Sequence, residues 1–205
     1  ETGAGALITN CAVSGTVSAS SKDWSTVGGI VGQSYDSVIL NCSAHVDLTT
    51  VSVSGSALAG GIVGLDGFSI LANSYAMGSI YADAGVNAAT IGGIAGMQAG
   101  VAGNNYSDMK LTSKNATGDI GGIAGRNLAT GIVRACEASG AIFGQSMTGG
   151  IVGENLGSIV SCRGRAYVNI ESTDPSIDLS DLSLDFSLDL ASLSRLDTLN
   201  IATDT

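Results

Sequence analysis

The chain has 205 residues, thirty of them glycine and one proline (Pro175), and a net charge of −10; this length suits one sizeable domain, or one repeat array with an appendage. Abundant glycine beside plentiful aliphatic residues and almost no proline excludes a disordered Gly/Pro linker and collagen, and favours an ordered, turn-rich β protein. Eight Lys and Arg form no basic stripe, which argues against nucleic acid and anionic membrane as partners, and no apolar run reaches the roughly 18 residues of a membrane span.

The chain opens at Glu1 with neither a methionine nor a signal peptide, so it reads as a processed or excised piece. Residues 1–3, "ETG", look like the remnant of a secretion vector, which points to an extracellular protein. From Asn10 a first phrase, "NCAVSGTV", alternates small or apolar residues (Cys11, Val13, Gly15, Val17) with Ala12, Ser14 and Thr16. Period two with one apolar side is a half-buried strand.

A second phrase, "VGGIVGQ", follows at residues 27–33, and variants return as "AGGIVGL", "IGGIAGM", "IGGIAGR" and "TGGIVGE". Their glycine pairs begin at Gly28, Gly60, Gly92, Gly121 and Gly149, spaced by 32, 32, 29 and 28 residues. A period near thirty, kept five times, means a solenoid whose units bury their apolar sides by stacking. Between the glycine phrases the strand phrase recurs as "NCSAHVDL", "NSYAMGSI", "NNYSDMKL", "ACEASGAI" and "SCRGRAYV". Six strands one repeat apart are expected to lie as parallel neighbours, with the rest of each coil as the return path. Helices are excluded because each glycine in a helix interior costs about 1 kcal/mol.

Three columns follow from stacking. Asn10, Asn41, Asn73 and Asn104 form a ladder of residues that tolerate a left-handed corner and can hydrogen-bond along the axis. Ile30, Ile62, Ile94, Ile123 and Ile151 form a core column. The outward positions carry Tyr75, Met77 and Tyr106 on neighbouring coils, then Glu137, Arg163, Arg165 and Tyr167. As glycan acceptors, Asn41, Asn105 and Asn115 each head a sequon, of which only Asn115 is off the ladder and off the inward column.

The phrases "VGGIVGQ" and "LNCSAHVDL", alternating at this period, resemble the GLUG-motif repeats of secreted and surface-anchored bacterial proteins, over about residues 5–170. The resemblance implies a parallel β-helix in an extracellular protein, often an adhesin or the non-catalytic part of a large surface peptidase, and brings no catalytic residues. In the fourth unit Asn105 stands where cysteine or serine stands in the preceding three, which predicts a weaker core there.

Chemistry-bearing residues are few. Cys11 with Cys42 and Cys136 with Cys162 are neighbours in one inward column, about 4.8 Å apart at the Cα atoms, within disulfide range; free thiols fit the narrow column as well. No CxxC or histidine cluster points to zinc, and no metal or other cofactor is implied. His45, the only histidine, excludes an HExxH site; Ser43, His45 and Asp47 sit on one strand and do not converge as a triad. The glycine phrase lacks the Lys-Ser/Thr of a P-loop and the GxGxxG spacing of a dinucleotide turn. Thr16 alone among the outward positions is threonine, against an ice-binding rank. No outward acid cluster suits glycoside hydrolysis.

After Pro175 the pattern changes. Leu182, Leu184, Phe186, Leu188 and Leu190 alternate with Ser and Asp, and leucines then recur every third residue to Leu199. Residues 171–205 hold eight acidic side chains against Arg195, which is −7 of the total charge of −10. They read as an amphipathic cap over the last coil. The expectation is thus an all-β, parallel β-helix of five to six coils over residues 4–170 with a cap over 171–205. Its expected role is non-catalytic binding, at a bacterial cell surface, of a host protein or glycan. The alternatives are a structural stalk and a carbohydrate-active enzyme. The oligomeric state is left open.

Overall fold

The computed structural model describes residues 5–114 and 117–169, and the cap expected at 171–205 lies outside them. All described strands pair in parallel with the equivalent strand one repeat away, and no helix occurs among them. Each coil feeds four sheets. The first is short, stacking Leu7–Thr9, Val38–Leu40, Ile70–Ala72, Val101–Gly103, Ile132–Arg134 and Ser158–Val160. The second is long, stacking Ala12–Ser21, Ser43–Ser52, Tyr75–Asp83, Tyr106–Ser113 and Glu137–Phe143, onto which Arg163–Gly164 and Tyr167–Asn169 both pair. The third contains Ser25–Gly28, Ala57–Gly60, Ala89–Gly92, Gly118–Gly121 and Met147–Gly149, and the fourth Val31–Tyr35, Val63–Gly67, Ala95–Gln98, Ala124–Asn127 and Val152–Asn155. The protein is a β-solenoid of about five turns.

Registers follow the sequence columns. Tyr75 lies between Ser43 and Tyr106, and Gly92 between Gly60 and Gly121. The inward side of the long sheet supplies Ala44, Val46, Leu48, Ala76, Ile80, Met109, Leu111, Ala138 and Ile142, all buried. Ile62, Ile94 and Ile123 are fully buried, while Ile30 and Ile151 in the outer coils are half-buried. Each full burial contributes about 1.5–3 kcal/mol, so the middle coils gain most from stacking.

The glycine phrase straddles two sheets, and crowding explains it. A Cβ on Gly60 would stand 1.9 Å from the Val63 carbonyl oxygen of its own coil. One on Gly61 would stand 2.1 Å from the Gly93 carbonyl oxygen and 2.6 Å from the Ala76 Cβ. The two glycines thus let the corner press against its own chain, the next coil and the small residues of the long sheet. Gly93 repeats this arrangement against the Gly122 carbonyl oxygen at 2.2 Å. Gly32, in the first coil, has no atom outside its own surroundings nearer than the Thr26 carbonyl oxygen at 3.7 Å.

The other corner, between the short and long sheets, is left-handed. Asn10, Asn41, Asn73 and Asn104 have φ of 52–55°, and Asn104 Nδ2 donates to Asn73 Oδ1 at 2.7 Å. Ala135 and Ser161 continue the column at φ 50° and 54°. The following column, Cys11, Cys42, Ser74, Asn105, Cys136 and Cys162, serves the backbone. The Cys42 N–H donates to Ser74 Oγ at 3.2 Å, the Ser74 N–H to Asn105 Oδ1 at 2.9 Å, and the Asn105 N–H to Cys136 Sγ at 3.4 Å. Buried N–H groups need partners, and this corner obtains them from a side-chain heteroatom one coil further on. Asn105 therefore does not weaken the core, as its departure from the pattern suggested. It is buried, accepts from Ser74, and donates through Nδ2 to the Leu71 carbonyl at 2.8 Å. Burial also removes it as a glycan acceptor; Asn115 lies outside the described residues.

Gly93→Ala is expected to destabilise the protein by about 1–3 kcal/mol through overpacking, and Gly32→Ala to change stability by less than about 0.5 kcal/mol. Urea titrations of both variants check this; equal losses would mean that crowding is not what requires glycine.

Candidate functional site

The core of the described residues contains no aromatic ring. All eight aromatic side chains of the described residues are exposed or half-buried, and five of them, Tyr75, Tyr81, Tyr106, Phe143 and Tyr167, project from the outer side of the long sheet. Parallel in-register strands put these residues in rows along the axis. Tyr75 and Tyr106 stack, with ring centroids 5.5 Å apart and planes inclined by 11°. That separation is close to the spacing of the strands that carry them.

The polar tips of this face are tied down. The Tyr75 hydroxyl donates to Met77 Sδ at 3.0 Å. Ser139 donates its proton to Asp108 Oδ1 at 3.0 Å, so the 2.8 Å contact between Tyr106 and Ser139 uses the tyrosine hydroxyl as donor. Ser79 donates to Asp47 Oδ1 at 2.6 Å, and Lys110 lies over the Phe143 ring at 5.7 Å. Burial, with the Asp108 and Tyr106 charges adding to it, raises the Tyr75 phenol above its ordinary range.

Tyr75, Met77 and Tyr106 are thus brought together. Arg163 is in their row two coils beyond Tyr106, with Glu137 between. The sixth segment is not one continuous strand. It breaks after Gly164 and resumes at Tyr167, which still pairs with Ala141. Arg165 turns back to pair with Glu137 Oε1 at 3.3 Å. Arg163, Arg165 and Tyr167 are all exposed.

His45 borders a depression of about 310 Å³ on the same face, floored by Gly15, Val46 and Gly78 and walled by Ser14, Thr16, His45 and Asp47. Gly15 and Gly78 have φ of 120° and 116°, which only glycine adopts readily, and the bare backbone makes the floor. Ser43, His45 and Asp47 alternate along their strand, and the Asp47 carboxylate is held by Ser79 rather than by histidine.

Three features were not legible in the sequence columns. One is the outer side of the short sheet, where Leu7, Val38, Ile70, Val101 and Ile132 form an apolar stripe. Its strands are three residues long, too short for period two to show.

The second is Asp66, 1% exposed, which accepts from the Ser69 and Gly100 N–H groups at 3.2 and 3.1 Å. Burial pushes its carboxyl up to about 6, against the lowering effect of those hydrogen bonds. The third is Asp119, fully buried, whose pKa burial raises and the Arg126 charge opposes. Arg126 sits between Asp119 Oδ2 at 2.6 Å and Glu154 Oε2 of the next coil at 2.5 Å. The attraction between opposite charges holds this pair. Among the described residues no group of three or more His, Cys, Asp or Glu could hold a metal.

With this geometry in place, comparison with known proteins adds one match. The family model described as the GLUG motif matches residues 25–51, one full circuit from the third sheet to the long strand of the next coil. Residues 25–51 are thus similar to a GLUG motif, which supports a GLUG repeat region, and the same circuit recurs along the solenoid. No curated protein matches the chain. Among the described residues no helix is long and apolar enough to cross a membrane.

Asp66 makes stability depend on pH. Its folded pKa of about 6 exceeds the ordinary carboxyl value of 3.8, so its stabilising share is complete below the unfolded pKa and is lost as pH rises through 6. Between pH 4 and 7.5 this amounts to about 2–3 kcal/mol. Asp66→Asn is expected to flatten the stability–pH curve over that window, and urea midpoints at five pH values check it. Parallel curves for parent and variant would place the titration elsewhere.

Proposed function

We propose that this GLUG-repeat solenoid is a non-catalytic recognition module of a bacterial surface protein, binding a host protein or glycan through the outer side of its long sheet. The observation that carries the reading is the placement of five aromatic residues on that one side, above coils whose inward residues include no aromatic ring among the described residues. Tyrosine and arginine are enriched where binding energy concentrates. The stacked Tyr75 and Tyr106, tipped by Met77 and Ser139, are already ordered, so binding costs them little rotamer entropy. Arg163, Arg165 and Tyr167 extend the face, and the His45–Asp47 depression gives it relief. The GLUG match fits an extracellular setting.

Tyr75→Ala combined with Tyr106→Ala is expected to weaken binding at least tenfold, about 1.4 kcal/mol, while leaving the β circular dichroism unchanged. The measurement is a screen of the full chain against arrayed host surface proteins and glycans, followed by titration of the hits. Absence of any hit would favour a stalk, and turnover of a polysaccharide would overturn the non-catalytic reading.

A further inference from the structure

The column that satisfies the backbone at the left-handed corner is not uniform. It reads Cys11, Cys42, Ser74, Asn105, Cys136, Cys162, with cysteines in adjacent-coil pairs toward either end of the described solenoid and oxygen-bearing side chains between. The register sets each pair face to face. Ala12 pairs with Ser43, which puts Cys11 beside Cys42, and Glu137 pairs with Arg163, which puts Cys136 beside Cys162. Neighbouring strands are about 4.7–4.9 Å apart, inside the 4.4–6.8 Å that a disulfide spans between Cα atoms. The sulfurs also reach the neighbouring coil, since the Cys136 backbone N–H donates to Cys162 Sγ at 3.4 Å and Cys42 Sγ lies 4.0 Å from the Ile8 carbonyl oxygen of the coil that holds Cys11.

We propose that Cys11–Cys42 and Cys136–Cys162 are two cross-coil disulfide sites, closed by a small-molecule disulfide such as oxidised glutathione. All four cysteines are thiols in this structure. Access orders the steps. Cys11 is exposed and Cys162 half-buried, whereas Cys42 and Cys136 are buried. The Cys11 thiolate attacks one sulfur of oxidised glutathione, forming a mixed disulfide and expelling a glutathione thiolate that takes a proton. The Cys42 thiolate then attacks Cys11 Sγ; the Cys11–Cys42 bond forms, the mixed disulfide breaks, and a second glutathione leaves. Two protein thiols are oxidised and one disulfide is reduced to two thiols. Cys162 and Cys136 follow the same sequence. Burial raises the thiol pKa of Cys42 and of Cys136, which slows the second step in the closed coil and favours closure during folding or fraying.

Placement supports the pairing. Each bridge would join two coils that otherwise hold together by strand pairing and by the packing of residues such as Val13, Val17 and Ile30 against the core. Bridges at these two places each tie one coil to its neighbour, whereas Ser74 and Asn105 serve the coils between without a cross-link.

The test incubates the full chain, freshly reduced and then refolded, in a glutathione redox buffer, and maps proteolytic fragments without reduction. The expected result is two bridges, Cys11–Cys42 and Cys136–Cys162, no thiol left to titrate after unfolding, and a Tm higher than that of the reduced protein by about 5–10 °C. Cys11→Ser keeps the hydrogen-bonding γ atom and is expected to lose one bridge and part of the oxidant-dependent rise in Tm. Four titratable thiols after prolonged incubation, other pairings, or an oxidant-dependent Tm shift retained in Cys11→Ser together with Cys162→Ser would each overturn the proposal.

Discussion

Every position in this solenoid sits about one strand spacing from its counterpart above and below, and most of the structure follows from that repetition. A backbone conformation required once is required in every coil, so a residue type that suits it recurs as a column. Glycine pairs recur where the corner presses against the next coil, and asparagine where the chain turns left-handed. The aliphatic column of Ile62, Ile94 and Ile123 is the apolar counterpart. Ala, Val, Leu and Ile predominate around it.

The same repetition shapes the polar chemistry inside. At the left-handed corner the N–H of the next residue turns away from the neighbouring backbone, and Cys, Ser or Asn supplies an acceptor one coil on. Three residue types that look unrelated thus perform one task, because each carries a heteroatom near the γ position. The buried acids differ from this column. Asp66 is stabilised by hydrogen bonds from the Ser69 and Gly100 N–H groups and from the Ser69 side chain, and Asp119 by Arg126, which Glu154 shares. Burial opposes ionisation in both and makes the interior sensitive to pH.

Because aliphatic and small side chains dominate the core and no aromatic ring among the described residues is buried in it, the aromatic residues are displaced outward. The long sheet has seven to ten residues per strand in its first five coils, enough to present four rows of outward side chains. In-register pairing then turns isolated tyrosines of neighbouring repeats into a stack. The glycines at 15 and 78 lower the floor between two of these rows. A face built this way has a regular base and a surface free to change.

Alternation in the six strand phrases and the glycine period determined the architecture, the parallel register, the inward and outward sides of the long sheet, and the adjacency of Tyr75 with Tyr106 and of Cys11 with Cys42. These are local or periodic properties, and one sequence repeated against itself contains them. What tertiary structure decided depends on contacts between segments with no shared pattern. It divided each glycine phrase between two sheets, gave Asn105 a buried partner instead of a fault, and broke the sixth strand after Gly164. It also buried Asp66 and Asp119, which nothing in their neighbours marks as internal, and exposed the apolar stripe of the short sheet. Burial and hydrogen-bond partners arise only when coils close on one another, and a column read from sequence records that positions meet, not what surrounds them.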